Sequence, residues 1–260
     1  MSRAGDRRTL RGTALVFGLV IAALAACQAV GARRDSAVPS SSSAASSRAA
    51  QTPAARPPAL RALERLPVKG RAPLTGYDRD LFGPAWSDDN GDLWGHNGCD
   101  TRNDILRRDL TALTLKGDTR GCVVLTGVLT DPYTGRSIRF TRGVGTSTAV
   151  EIDHVVALAD AWQSGAQAWT AQRRQEFAND PLELLAVDGP TNMSKGAGDA
   201  ATWLPPAKAF RCAYVARQIA VKQKWGLWVK PAERDAMTGI LGRCPRQRLP
   251  AADGRLGASP

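Results

Sequence analysis

The sequence predicts an α+β domain: a small antiparallel β-sheet wrapped by helices and stapled by two disulfides. Three observations carry this expectation. Apolar β-forming runs flank the turn signal Asp131-Pro132-Tyr133-Thr134-Gly135, as in a hairpin. Longer segments on either side place apolar residues three and four apart, the helical spacing. Four cysteines (Cys99, Cys122, Cys212 and Cys244) are far apart and include no Cys-x-x-Cys pair, which favours disulfides over a zinc site. Of the three connectivities open to them, Cys99–Cys122 with Cys212–Cys244 is preferred, because each pair closes a short local segment.

Taken in order, the elements begin with an irregular stretch over 77–99, rich in Asp, Gly and Trp. A helix is expected near Arg102–Leu113, where Ile105, Leu106, Leu110 and Leu113 share one face. Val123–Leu129 and Ser137–Phe140 form the hairpin, and a further strand is expected over Val150–Val156. A helix from Leu158 to Trp169 follows, then another capped by Thr170 and running to Phe177. After the loop at Asn179-Asp180-Pro181 come the apolar run Leu184–Val187 and a helix opening near Pro190–Lys195. Two C-terminal helices, Ala207–Lys224 and Ala232–Leu241, would be tied by the Cys212–Cys244 bridge.

The folded domain is expected over 71–246, with different segments before and after it. Arg3, Arg7, Arg8 and Arg11 precede an uncharged run that ends in Leu24-Ala25-Ala26-Cys27. This resembles a lipoprotein signal peptide over 1–27, with Cys27 lipidated after cleavage, and an uncleaved anchor is the competing expectation. Residues 28–70, rich in Ser, Ala and Pro, read as a disordered tether, and 247–260 as a flexible tail. Both leader readings place the domain outside the cytoplasmic membrane, either anchored to its outer face or secreted. The formal charge is +11; residues 1–27 hold four Arg and one Asp, so +8 remains without them. Such a balance favours polyanionic partners.

The chemistry concentrates in Glu151-Ile152-Asp153-His154-Val155-Val156, followed at a distance by Asn179 and by Asn192-Met193-Ser194-Lys195. Phosphodiester hydrolysis needs an activated water, a cation on the phosphate and stabilisation of the leaving oxygen. A histidine beside a carboxylate supplies the first two from neighbouring positions. An amide oxygen is a hard ligand suited to Mg²⁺, and a nearby lysine offsets phosphate charge.

These residues, in this order, resemble the HNH, or ββα-metal, nuclease superfamily, and most closely an exported actinobacterial HNH endonuclease family related to the DUF1524 group. Further matching stretches are Gly98-Cys99-Asp100-Thr101-Arg102-Asn103-Asp104-Ile105-Leu106, the Asp131–Gly135 turn, Ala178-Asn179-Asp180-Pro181 and Trp203-Leu204-Pro205-Pro206. The resemblance covers roughly 75–245. It implies His154 as general base, Asp153 and Asn192 as metal ligands, Asn179 as the residue that structures the motif's loop, and Lys195 at the phosphate. It also implies Mg²⁺, with Mn²⁺ as the alternative, since Asn192 stands where a zinc-type site would have histidine. The partner implied is nucleic acid, DNA favoured over RNA, cut with low sequence specificity by a monomer.

Each residue also has a structural explanation. Asn192 suits a helix cap. Arg102 suits either a phosphate or an ion pair with Asp100 or Asp104. His96 lies in an Asp-rich loop that departs from the EF-hand pattern after Gly91 and reads as a structured loop. The tryptophans read as core rather than as base-stacking platforms. Two other functions remain open from sequence: a non-catalytic polyanion-binding lipoprotein on this scaffold, and a phosphodiesterase acting on an envelope polymer.

Overall fold

Backbone pairing divides the sheet in two. Strands β1 (Leu110–Leu115), β2 (Val124–Thr130) and β3 (Ser137–Thr141) form an antiparallel meander, while β4 (Val150–His154) pairs antiparallel with β5 (Leu184–Asp188) alone. The computed structural model describes residues 57–255. The expected signal peptide, Cys27, the first part of the tether and the last five residues lie outside the described residues. Among the described residues, no helix is long and apolar enough to cross a membrane.

Helix α1 (Pro58–Glu64) corrects one expectation, since these residues were assigned to the tether. Ala59, Ala62, Leu63 and Leu66 are buried, at spacings of three, four and seven from Ala59. That is one apolar helical face, which composition alone conceals in an Ala/Pro/Arg-rich segment. The C-terminal tail is corrected likewise. Leu249 packs on the core, the Asp253 carbonyl accepts from Arg108 (3.0 Å), and the Gly254 carbonyl accepts from Arg217 (2.7 Å).

Helix α2 (Thr101–Asp109) is capped by the Asp100 carboxylate, which accepts from the Asn103 amide at 2.8 Å, and it ends earlier than expected. From Leu110 the chain becomes β1, because Leu110 and Thr111 pair with Leu129 and Val128. Tertiary pairing here overrides a leucine spacing that also suits a helix. The helix expected over Leu158–Trp169 stops after α3 (Leu158–Trp162). Gly165 adopts φ 136° and the Ser164 hydroxyl donates to the Asp160 carbonyl at 2.7 Å, so a 3₁₀ turn over Ala166–Ala168 replaces the second half. Helix α4 (Ala171–Asn179) begins as expected, with Thr170 Oγ1 accepting from the Arg173 amide. Helices α5 (Gly189–Lys195), α6 (Arg211–Trp225) and α7 (Pro231–Leu241) complete the order. Both expected disulfides, Cys99–Cys122 and Cys212–Cys244, are present.

Two apolar cores flank the β4–β5 pair. One gathers α1, α3, α6 and α7 around Tyr214, Val215, Ile219 and Leu241; the other joins Ile105, Leu106, Val124, Leu129 and Phe140. All five residues of β5 are buried; Leu185 and Val187 enter the first core, Leu184 and Ala186 the second. That alternation is the two-residue period of a strand buried on both faces. A buried ion cluster ties α3, α6 and α7: Lys222 lies 2.9 Å from Glu233 and 3.3 Å from Asp160, and Lys230 meets both Asp160 and Glu233.

Candidate functional site

β4 and α5 carry the candidate residues, and the strand period sorts them. Glu151 and Asp153 share one face of β4, Ile152 and His154 the other. Helix α5 follows β5 without a loop. Asp188 caps it by accepting from the Thr191 amide at 3.0 Å, and Pro190 occupies its first turn. Asn192 and Lys195, three apart, fall on one side of that helix. They meet the two acidic residues of β4 in order: Asn192 Nδ2 donates to Glu151 at 2.8 Å, and Lys195 Nζ donates to Asp153 Oδ1 at 2.8 Å.

Asp153 and Lys195 form a buried pair. Lys195 also donates to the His154 carbonyl at 2.7 Å, and the Tyr133 hydroxyl donates to the other Asp153 oxygen. Both carboxylate oxygens are therefore engaged. Burial pushes the Asp153 carboxyl upward, against the opposing pull of Lys195 and the Tyr133 hydrogen bond. Tyr133 reaches this position from the Asp131–Gly135 turn. Asp131 Oδ1 accepts from the Tyr133 and Asp188 amides, which ties the turn to the end of β5.

His154 lies apart from that pair. Its Nε2 is 3.0 Å from the Ala178 carbonyl oxygen, and its ring stacks on Trp86 with centroids 5.9 Å apart and planes 13° from parallel. A carbonyl only accepts, so Nε2 carries the proton and Nδ1 of the neutral ring keeps its lone pair. Burial lowers the ring's pKa to about 3, assisted by the charge of Arg79. His154, Arg79, Trp86, Leu158 and Asn179 line a cavity of about 80 Å³. Asn179 ends α4; its Nδ2 donates to the Gln175 carbonyl at 2.9 Å, while its buried Oδ1 has no hydrogen-bond partner.

Glu183 was not singled out from sequence. Its carboxylate oxygens accept from the Val156 amide at 3.1 and 3.3 Å, and its carbonyl accepts from the Val155 amide at 3.0 Å. It thus fixes the two residues that follow His154, and burial holds its carboxyl well above the usual range. The available signal was a single acid inside the apolar stretch Leu182–Val187. Glu151 stands in the stretch marked from sequence, two residues from Asp153, without a role assigned to it, whereas Tyr133, Trp86 and Arg79 reach the site only through tertiary packing.

Asp153 and Lys195 are thus in direct contact, and the backbone of His154 joins them. Asn192 meets Glu151 rather than Asp153. Arg102 donates to the Val150 and Ser147 carbonyls at 3.0 and 3.3 Å, so its guanidinium holds the entry to β4. His96 lies 3.8 Å from Asp89 in a loop where Asp88 accepts from the Asn97 and Gly98 amides. Among the described residues, no group of three or more His, Cys, Asp or Glu side chains forms a metal cluster.

Residues 100–240 match the family model described as GmrSD restriction endonucleases, C-terminal domain. The chain belongs to this family. That match begins at the cap of α2 and takes in β4, β5, α5 and nearly all of α7. An uncharacterised secreted protein of Arthroderma benhamiae is 37% identical over 184 residues, covering 70% of this chain and 82% of the fungal protein. No solved structure matches the chain. Arg79 and Trp86 precede the matched residues, so one wall of the His154 cavity comes from outside the family match.

Proposed function

We propose that this protein is an exported, metal-dependent endonuclease that hydrolyses phosphodiester bonds of nucleic acid, DNA favoured, with low sequence specificity. The observation that carries it is the state of His154: a neutral ring with Nε2 fixed on the Ala178 carbonyl and Nδ1 left as a base beside a cavity. The family description, which names restriction endonucleases, and the basic charge that remains without residues 1–27 support the substrate class. The arginine-led leader ending at Cys27 supports export, and the fungal relative is itself described as secreted.

In this mechanism Nδ1 of His154 takes a proton from the attacking water. The Ala178 carbonyl holds the ring's tautomer, and Glu183 holds the backbone beyond it. Lys195, enclosed and paired with Asp153, would act through position: its ammonium donates to the His154 carbonyl and fixes the end of β4.

The expected divalent cation fits one pair of residues better than another. Asp153 does not fit in this arrangement, because Lys195 and Tyr133 occupy its oxygens inside the core. Glu151 and Asn192 do fit: a carboxylate and an amide, both partly exposed and in contact. Mg²⁺ commonly takes only one or two protein oxygens and keeps several waters. These two residues would hold it beside the groove lined by Thr148, Glu151, Pro190 and Met193, on the face of β4 opposite the His154 ring, where its charge would bind a phosphate of the nucleic acid. β4, β5 and α5, with α3 and α4 inserted between the two strands, are the elements that an HNH-type ββα-metal motif would use.

The test is incubation with linear DNA, RNA and plasmid in Mg²⁺, in Mn²⁺ and in EDTA, followed by analysis of product ends. Metal-dependent cleavage of DNA to 5′-phosphate and 3′-hydroxyl ends is expected. Absence of cleavage on all three substrates with both metals would remove the proposal.

A further inference from the structure

We propose that the cavity beside His154 is a phosphate-binding subsite whose cationic residue is Arg79. It rests on the nuclease reading for the identity of the substrate, but not for the binding itself. Arg79 opens a one-turn 3₁₀ element, Arg79–Phe82, capped by Asp78, whose carboxylate accepts from the Asp80 amide at 2.9 Å. Phe82 anchors that turn, buried against the Phe177 ring with centroids 6.2 Å apart. The backbone that carries Arg79 is therefore fixed to α4, the helix whose end supplies Ala178 and Asn179.

The side chain of Arg79 is exposed and makes no hydrogen bond or ion pair among the described residues. Other arginines near the site differ. Arg102, Arg108, Arg142 and Arg217 are all held by backbone carbonyls or polar side chains. A guanidinium presents paired donors that match phosphate oxygens, which makes a free one beside a candidate base a natural anion clamp.

Two further features define what the subsite takes. Its volume of about 80 Å³ is several times the roughly 10–15 Å³ that admits one water, enough for a tetrahedral anion with its water but not for a nucleoside. Asn179, whose buried Oδ1 has no hydrogen-bond partner, also lines the cavity and adds no charge to oppose an anion. The lining also includes Asp80, whose carboxylate opposes an anion, so binding should be moderate and should strengthen in Asp80→Asn.

The probe is inorganic phosphate titrated calorimetrically in EDTA, with a labelled DNA duplex measured by anisotropy between 50 and 200 mM salt. Wild type is expected to bind phosphate saturably. Arg79→Ala should weaken this at least about tenfold and lower the salt slope for duplex binding by about one. Arg79→Lys should retain part of the affinity, and Ala at the exposed Arg243 should leave it unchanged. Wild-type phosphate affinity and salt slope in Arg79→Ala, or an equal loss in Arg243→Ala, would overturn the proposal. Neither measurement reads hydrolysis. Phosphate binding through Arg79 without cleavage would therefore remove the nuclease reading alone, and cleavage without such binding would remove the subsite alone.

Discussion

His154 Nε2 lies 3.0 Å from the carbonyl oxygen of Ala178, and this contact decides which ring nitrogen is left as a base. Because the ring is buried, its pKa falls from 6.5 to about 3. The unfolded chain therefore takes up a proton near pH 6.5 that the folded chain refuses until about pH 3. The contribution to stability is full above 6.5 and is lost progressively as pH falls toward 3. At about 1.4 kcal/mol per unit, the loss amounts to several kcal/mol. Urea denaturation from pH 7 to 3.5 should show this slope in wild type and a shallower one in His154→Gln. Parallel slopes would contradict a buried neutral ring.

The Lys195–Asp153 pair is fully enclosed, and removing one partner leaves the other charge buried and unpaired. Lys195→Ala should cost about 3–5 kcal/mol of stability. The double variant Asp153→Asn/Lys195→Met should recover much of that loss, as a denaturation-based double-mutant cycle would show. A cost below about 1 kcal/mol for Lys195→Ala would place the pair in solvent instead.

Glu183 makes the opposite pH argument. Its folded pKa is raised, so its contribution is full below the ordinary carboxyl value and is lost as pH rises through the folded value. Gln keeps an oxygen to accept from the Val156 amide and has no charge to bury. Glu183→Gln should melt at a higher temperature than wild type at pH 8, with the gap closing at pH 4. A lower melting temperature at pH 8 would show that the ionised form is the stabilising one.

Glu151 and Asn192, not Asp153, should govern cation affinity. Mn²⁺ binding followed by electron paramagnetic resonance is expected to weaken at least about tenfold in Glu151→Gln and in Asn192→Ala, and to persist in Asp153→Asn. Loss of binding in Asp153→Asn with retention in Glu151→Gln would return the cation to Asp153 and break the Lys195 contact as drawn.

How far the sequence disclosed these features depended on whether the signal was local. The turn at Asp131–Gly135, the Thr170 cap and the two disulfides follow from spacing and side-chain chemistry within short windows, and each lies where it was expected. Helix α1 is not legible in composition because its apolar face is short and lies in an Ala/Pro/Arg-rich segment. The end of α2 falls earlier than expected because Leu110 and Leu113 suit both a helical and a strand pattern, and the pairing of Leu110 and Thr111 with β2 decides for the strand. For the site, Asp153, His154 and Lys195 were legible as a motif. Their partners Tyr133, Trp86 and Arg79 are 21 to 75 residues away from His154 in sequence, and only the packed core brings them together.

The most direct test is the nicking of supercoiled plasmid by the purified protein in Mg²⁺, compared with His154→Ala at equal concentration and verified folding. A general base contributes about 10²–10⁴ in rate. Wild type is expected to convert the plasmid to open-circular and linear forms, and His154→Ala to be slower by at least about a hundredfold. Equal rates for the two proteins would contradict the central role given to His154.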